Sequence, residues 1–182
     1  MQRLAGALKS RLAVLAVLSA VLLGALASCN NSNCTDNHSA LPLMGFYDFS
    51  TGKSMRLDSL DLSGVEAPDD SLLIHAGQAI SQVYLPFRYH ASEVQFCFHY
   101  AYPGQGLDDP ALNDTITFGY TAEPYFASNE CGAMYKYTVN TCRFTTHLIE
   151  NVVITDSVIT NIERERIQVF FRTQGPEEGG DR

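Results

Sequence analysis

At 182 residues, with 46% apolar side chains, the chain is long enough for one domain with a hydrophobic core. Its 20 acidic and 12 basic residues give a formal net charge of −8 at pH 7. That balance argues against a nucleic-acid partner, since such binding relies on Lys and Arg to neutralise phosphates, and against adhesion to anionic lipid through a basic patch.

In chain order, Arg3, Lys9 and Arg11 precede an uncharged, largely apolar run over residues 12–28 that ends in Leu26-Ala27-Ser28-Cys29. A basic start, an apolar stretch and small residues mark a secretory signal. At 17 residues the run also sits at the short limit for an uncleaved membrane span. The terminal tetrapeptide resembles the lipobox of bacterial lipoproteins. The resemblance implies that residues 1–28 are removed and that Cys29 becomes an acylated, palmitate-bearing first residue, so the membrane is contacted through lipid. The mature chain then keeps 9 basic against 20 acidic side chains, a net charge of −11. Residues 29–40 read as a polar tether. The Asn-Asn-Ser-Asn after Cys29 lacks acidic residues, which points to an outer-membrane anchor facing the periplasm.

From residue 41 the apolar pattern has period two, the mark of half-buried strands. In residues 93–102, Val94, Phe96, Phe98, Tyr100 and Tyr102 share one face. Residues 113–120 set Ile116, Phe118 and Tyr120 on one face, residues 133–139 set Tyr135, Tyr137 and Val139, and residues 142–149 set Phe144 and Leu148. Ile167, Val169 and Phe171 close the series. Weaker strands are expected at residues 45–49, 54–62, 72–75, 79–87 and 152–155. Nine or ten short strands with turns between them predict an all-β domain over residues 41–173, an antiparallel β-sandwich with a small β-barrel as the alternative. Residues 174–182 read as a disordered tail.

With Cys29 assigned to lipid, four cysteines remain in an export context that permits disulfides. Of three connectivities, Cys34–Cys131 would pin the leader to a turn and Cys97–Cys142 would staple two strands; the alternative is that one or both pairs stay reduced. No short Cys-x-Cys spacing suggests zinc, and no metal or cofactor is expected.

Catalytic motifs are absent from the sequence: it has no nucleophile elbow, no His-Glu-x-x-His, no phosphate loop and no dinucleotide fingerprint. His38, His75, His90, His99 and His147 have no metal-ligand spacing. Cys97 and His99 share a strand face, but reading Cys97 as a disulfide half removes the nucleophile. Residues 103–114 hold Asp108, Asp109 and Asp114, which fit a solvated loop better than a Ca²⁺ loop. Glu93, Glu123 and Glu130 are the carboxylates available to a glycosidase-type pair. Of the nine tyrosines, Tyr100, Tyr102, Tyr120, Tyr135 and Tyr137 are expected in the core rather than on a ligand-binding face.

Asp58-Ser59-Leu60, Asp70-Ser71-Leu72, Asp114-Thr115-Ile116 and Asp156-Ser157-Val158 share an Asp, Ser/Thr, aliphatic form. It resembles the O-glycosylation acceptor of a large group of Gram-negative anaerobes, which would make Ser59, Ser71, Thr115 and Ser157 acceptors; the same pattern also serves to leave a turn and enter a strand. Cys34, Tyr84-Leu85-Pro86-Phe87, Ser128-Asn129-Glu130-Cys131-Gly132 and residues 149–162 together resemble a family of small uncharacterised lipoproteins of Bacteroidota type. That family implies no activity, and Cys97 and Cys142 are not among its regular features. The expected function is therefore a non-enzymatic, envelope-anchored binding or assembly module whose partner is an envelope protein or a glycan. The alternatives are a polysaccharide hydrolase and a purely structural envelope protein.

Overall fold

Alternating apolar residues become ten strands in the computed structural model, which describes residues 39–65, 72–100 and 110–172. They are β1 Leu43–Asp48, β2 Leu60–Gly64, β3 Leu72–Gly77, β4 Gln82–Tyr84, β5 Glu93–Tyr100, β6 Asp114–Ser128, β7 Gly132–Phe144, β8 Ile149–Ile154, β9 Val158–Ile159 and β10 Glu165–Phe171. A four-stranded sheet has the order β4-β1-β10-β8, and a six-stranded sheet has the order β3-β2-β5-β6-β7-β9. The two pack as a β-sandwich. The pairings are antiparallel except for the first and last strands, β1 and β10, which lie parallel and side by side.

Period two on each strand decides what is buried. Val94, Phe96, Phe98 and Tyr100 of β5 and Ile116, Phe118 and Tyr120 of β6 are buried, as expected. They meet Met44 and Phe46 of β1 and Ile167, Val169 and Phe171 of β10 from the facing sheet. Phe46 and Phe171 meet edge-on at 5.6 Å between centroids, and Phe98 reaches both, at 6.3 Å each. Such aromatic pairs add about 0.5–1.5 kcal/mol each beyond the area they bury. Ala40, read from sequence as tether, is fully buried in this core.

Two strands run longer than the sequence pattern indicated. β6 continues through Pro124 to Ser128, and β7 is one strand where two were expected. β6 has β5 as a neighbour only from Asp114 to Gly119, so Pro124 lies on a two-stranded arm with an open edge, where a missing N–H is tolerated. Tyr135, expected in the core, sits on this arm and is 38% exposed, stacked on Tyr89 at 4.6 Å.

The expected strand over residues 142–149 breaks instead at Phe144, where the chain crosses between sheets. Asp114, fully buried at the start of β6, is the cause. Its Oδ1 accepts from Thr145 Oγ1 and the His147 amide, both at 2.8 Å. Its Oδ2 accepts from the amides of Leu148 at 2.8 Å and Ile149 at 2.9 Å, and from Tyr100 Oη at 3.1 Å. Three consecutive amides turned toward one carboxylate cannot also continue a strand ladder.

Asp114→Asn places an NH₂ where amides must find an acceptor. It should cost about 2–4 kcal/mol, because buried donors then lose a charged partner. Urea denaturation should show a lower midpoint at an unchanged slope. An unchanged midpoint would remove Asp114 from this role.

Candidate functional site

The cysteines come first, because their placement corrects the sequence reading. Cys97 and Cys142 are free thiols, not a disulfide. Cys97 lies on β5 opposite Thr115, and Cys142 lies on β7 opposite Phe118, so β6 separates them. Two strand spacings are about 9.5 Å and three residues along the strand about 10 Å, whereas a disulfide needs Cα atoms within about 7 Å. Their side chains also point to opposite faces: Cys142 packs toward the core beside Phe118, and Cys97 faces out with Thr115. Cys131, in the β6–β7 turn, is disulfide-bonded. Cys29, Cys34 and the other half of that bond lie outside the described residues, as does the lipobox.

The other candidates are dispersed. Glu93 pairs with Arg143 at 2.7 Å and Glu123 with Lys136 at 3.1 Å. Glu93 sits opposite Gly119, about 13 Å along β6 from Glu123, and Glu130 is in the turn beyond. No two of them face each other across a groove. His99 Nδ1 lies 3.1 Å from Asn113 Oδ1. Burial first, then the charge of Asp114, raises the Cys97 thiol pKa, opposite to what a nucleophile requires. Residues 101–109 of the acidic loop lie outside the described residues, and Asp114 is already occupied by the five bonds above. Among the described residues no cluster of His, Cys, Asp or Glu could hold a metal, and no helix is long and apolar enough to cross a membrane.

Of the acceptor-like sites, Ser71 lies outside the described residues. Ser59 and Thr115 are half-buried, and Ser157 is exposed. Asp58 accepts the Ala79 amide at 2.6 Å, and Asp156 accepts the Val158 amide at 3.0 Å, so both aspartates serve turns. Ser157 and Cys142 line an open groove of about 510 Å³ formed by residues 139–142 and 154–157. Its walls carry hydroxyls, one amide, the Cys142 thiol and the Asp156 carboxylate but no aromatic ring.

The best-organised outer surface is one that the sequence did not single out: the outward side of the four-stranded sheet, where Tyr47, Glu165, Gln168 and Phe170 are half-buried. Met44 and Phe46 point into the core, so Gly45 and Tyr47 point outward. On β10, Gly45 faces Gln168, and Tyr47 faces Phe170. Gln82 and Tyr84 come from β4, and Asn151 and Val153 from β8. At the centre lies Glu165. Its Oε1 accepts from Tyr47 Oη at 2.7 Å and Gln168 Nε2 at 2.8 Å, and its Oε2 accepts from Gln82 Nε2 at 3.1 Å. The carboxylate lies so close over Gly45 that a Cβ there would collide with it. Tyr84 Oη donates to Glu163 at the edge of this face.

The rings of Tyr47 and Phe170 pack at 5.4 Å, tilted by 34°. Burial, then the bond to Glu165, raises the Tyr47 pKa; the bond to Glu163, then burial, raises that of Tyr84. Both phenols therefore remain donors at neutral pH. The face joins an aromatic strip to carboxylate and amide groups that hold one another in place, an arrangement suited to binding.

A family model described as a family of unknown function (DUF6452) matches residues 59–171. No curated protein and no solved structure matches the chain.

Burial raises the Cys142 pKa from 9.0 to about 11. The folded state then holds a proton that the unfolded chain releases, so stability should be intact below pH 9 and fall as pH rises from 9 toward 11. Alkylation of Cys142 in the folded protein should follow the same rise. Non-reducing peptide mapping should return Cys97 and Cys142 as separate thiols, and a peptide joining them would contradict this placement.

Proposed function

The chain belongs to the DUF6452 family of unknown function, and from that premise we propose that it is a non-enzymatic binding module of the cell envelope. In this reading Cys29 carries the lipid, the anchor is in the outer membrane facing the periplasm, and the β-sandwich presents the Glu165-centred face to its partner. The observation that carries it is the organisation of that face. Three neutral donors fix one carboxylate over a glycine, beside two rings packed together. A solvated sheet face with no partner does not need such mutual positioning. Dispersal of Glu93, Glu123 and Glu130, and a raised rather than lowered Cys97 pKa, favour binding over hydrolysis. A disulfide at Cys131 fits an oxidising compartment, in keeping with export. A Cys34–Cys131 bond, which this reading adopts, would tie the anchored leader to the β6–β7 turn.

Two measurements test this. Cys29→Ser should leave the signal uncleaved and the protein unacylated, and a processed, unlipidated product starting elsewhere would overturn the anchor. A photo-crosslinking residue at Val153, on the proposed face, should yield an adduct in the protein's own membranes. The same residue at Gln95, on the outer face of the other sheet, should not. No adduct at Val153, or equal yields at both positions, would sink the binding role.

A further inference from the structure

Building on that reading, we propose that the occupant of the Glu165-centred face is a neutral, hydroxyl-rich glycan chain. The carboxylate carries the first argument. A carboxylate offers about four acceptor positions. Tyr47, Gln168 and Gln82 use three of them, so Oε2 can accept one more hydrogen bond. A sugar hydroxyl supplies that donor and brings its own acceptor for the amides of Gln82 and Asn151. All three fixing donors are neutral and come from this chain, so the remaining acceptor position is open to a neutral donor that the ligand brings. A hydroxylated ligand keeps the carboxylate hydrogen-bonded.

The rings carry the second. Tyr47 and Phe170 form a strip two rings long beside the carboxylate, and Tyr84 flanks it across Gly45. Aromatic faces offer apolar area with little conformational cost, which suits the C–H face of a pyranose. Four strands span about 14 Å, and the surface is a sheet face rather than a pocket. A small molecule is held best in a concave cleft, whereas an open strip accommodates a chain laid along it. Charge then narrows the class. Glu163 and Glu165 stand on the face of a chain whose sequence is strongly acidic. Uronates, phosphates and sulfates would be repelled, leaving neutral sugars.

Gly45 provides a variant that changes the site without removing a charge or a ring. In Gly45→Ala the new methyl collides with the far end of the flexible Glu165 side chain, which can swing away, and lies 3.1 Å from the Tyr47 ring, which must give by a few tenths of an ångström, so the fold is kept while the carboxylate leaves its position. The test is a glycan array of glucans, mannans, galactans and xylans with polygalacturonate and heparin as acidic controls, probed with the mature lipidated protein in detergent. The expected result is retention on at least one neutral glycan and on neither acidic control. Tyr47→Ala, Gly45→Ala and Glu165→Ala should each weaken that binding at least tenfold. Gln82→Ala, an exposed edge change that leaves the core untouched, should weaken it severalfold.

A blank array, preference for the acidic controls, or binding unaltered in Gly45→Ala and Tyr47→Ala overturns the glycan assignment. The Val153 crosslink separates the two failures. A blank array with a protein adduct at Val153 leaves the binding module standing with a different occupant, whereas a blank array without any adduct removes both.

Discussion

Asp114 fastens the two sheets together. Its carboxylate sits at the first residue of β6 and gathers three amides and a hydroxyl from residues 145–149, where the chain leaves one sheet for the other, as well as Tyr100 of β5. A buried charge with no hydrogen bonds would cost far more than it gains, so this segment is constrained to bring those donors to it. The last strand has a counterpart. Arg166, only 2% exposed, bonds to Asp156 and to the carbonyl of Val158, with Thr160 Oγ1 and the Ile162 carbonyl farther off at 3.3 and 3.4 Å. It thereby holds the excursion in which the chain goes from β8 to β9, on the other sheet, and back to β10. Hydrophobic burial supplies most of the driving force, but it has no direction. These two charges fix where the chain changes sheets after β7.

The second fastening also shapes the candidate site. Between the pairs Leu43–Glu165 and Met44–Ile167 the register of β10 gains one residue, and that residue is Arg166. A bulge re-aims the side chains around it. Here it lets Arg166 turn into the crossover while its neighbour Glu165 reaches the outer face over Gly45. Without the extra residue, strict alternation would set Glu165 on the same side as Ile167. The Glu165-centred face is thus a by-product of how the last strand is held, and the absence of a Cβ at residue 45 is what lets the carboxylate lie over it.

Alternation made much of the fold legible in the sequence. The inward residues of β5 and β6 could be read because each strand is central and one of its faces is dry. β6 runs on past Tyr120 through Pro124 because an open edge tolerates a proline, and residue-level patterns do not reveal where β6 loses its neighbour. The break after Phe144 was hidden for a different reason: residues 142–149 alternate well enough, and only the distant Asp114 makes them turn. The Glu165 face was illegible because its parts come from four strands. Tyr47 and Glu165 are 118 residues apart, and a bulge inverts the parity that would have placed Glu165 inside.

The misread cysteines show why pairing needs register as well as parity. Cys97 and Cys142 both lie in well-patterned strands, and an even count in a chain expected to be exported invites a bridge between them. Their strands share a neighbour instead of an edge, and the two thiols leave β5 and β7 on opposite sides. Burial is the larger cause of the raised pKa in each, and it lowers the thiolate fraction that exchange chemistry requires. Two reduced cysteines are therefore stable even where disulfides form readily, because geometry denies them each other and desolvation denies them reactivity. Cys131 differs on both counts. It sits in a turn at the end of the β6–β7 arm, clear of the core ladder, where a partner can approach without disturbing any strand register. Among the described residues, the oxidised cysteine is thus the one that lies in a turn rather than inside a strand.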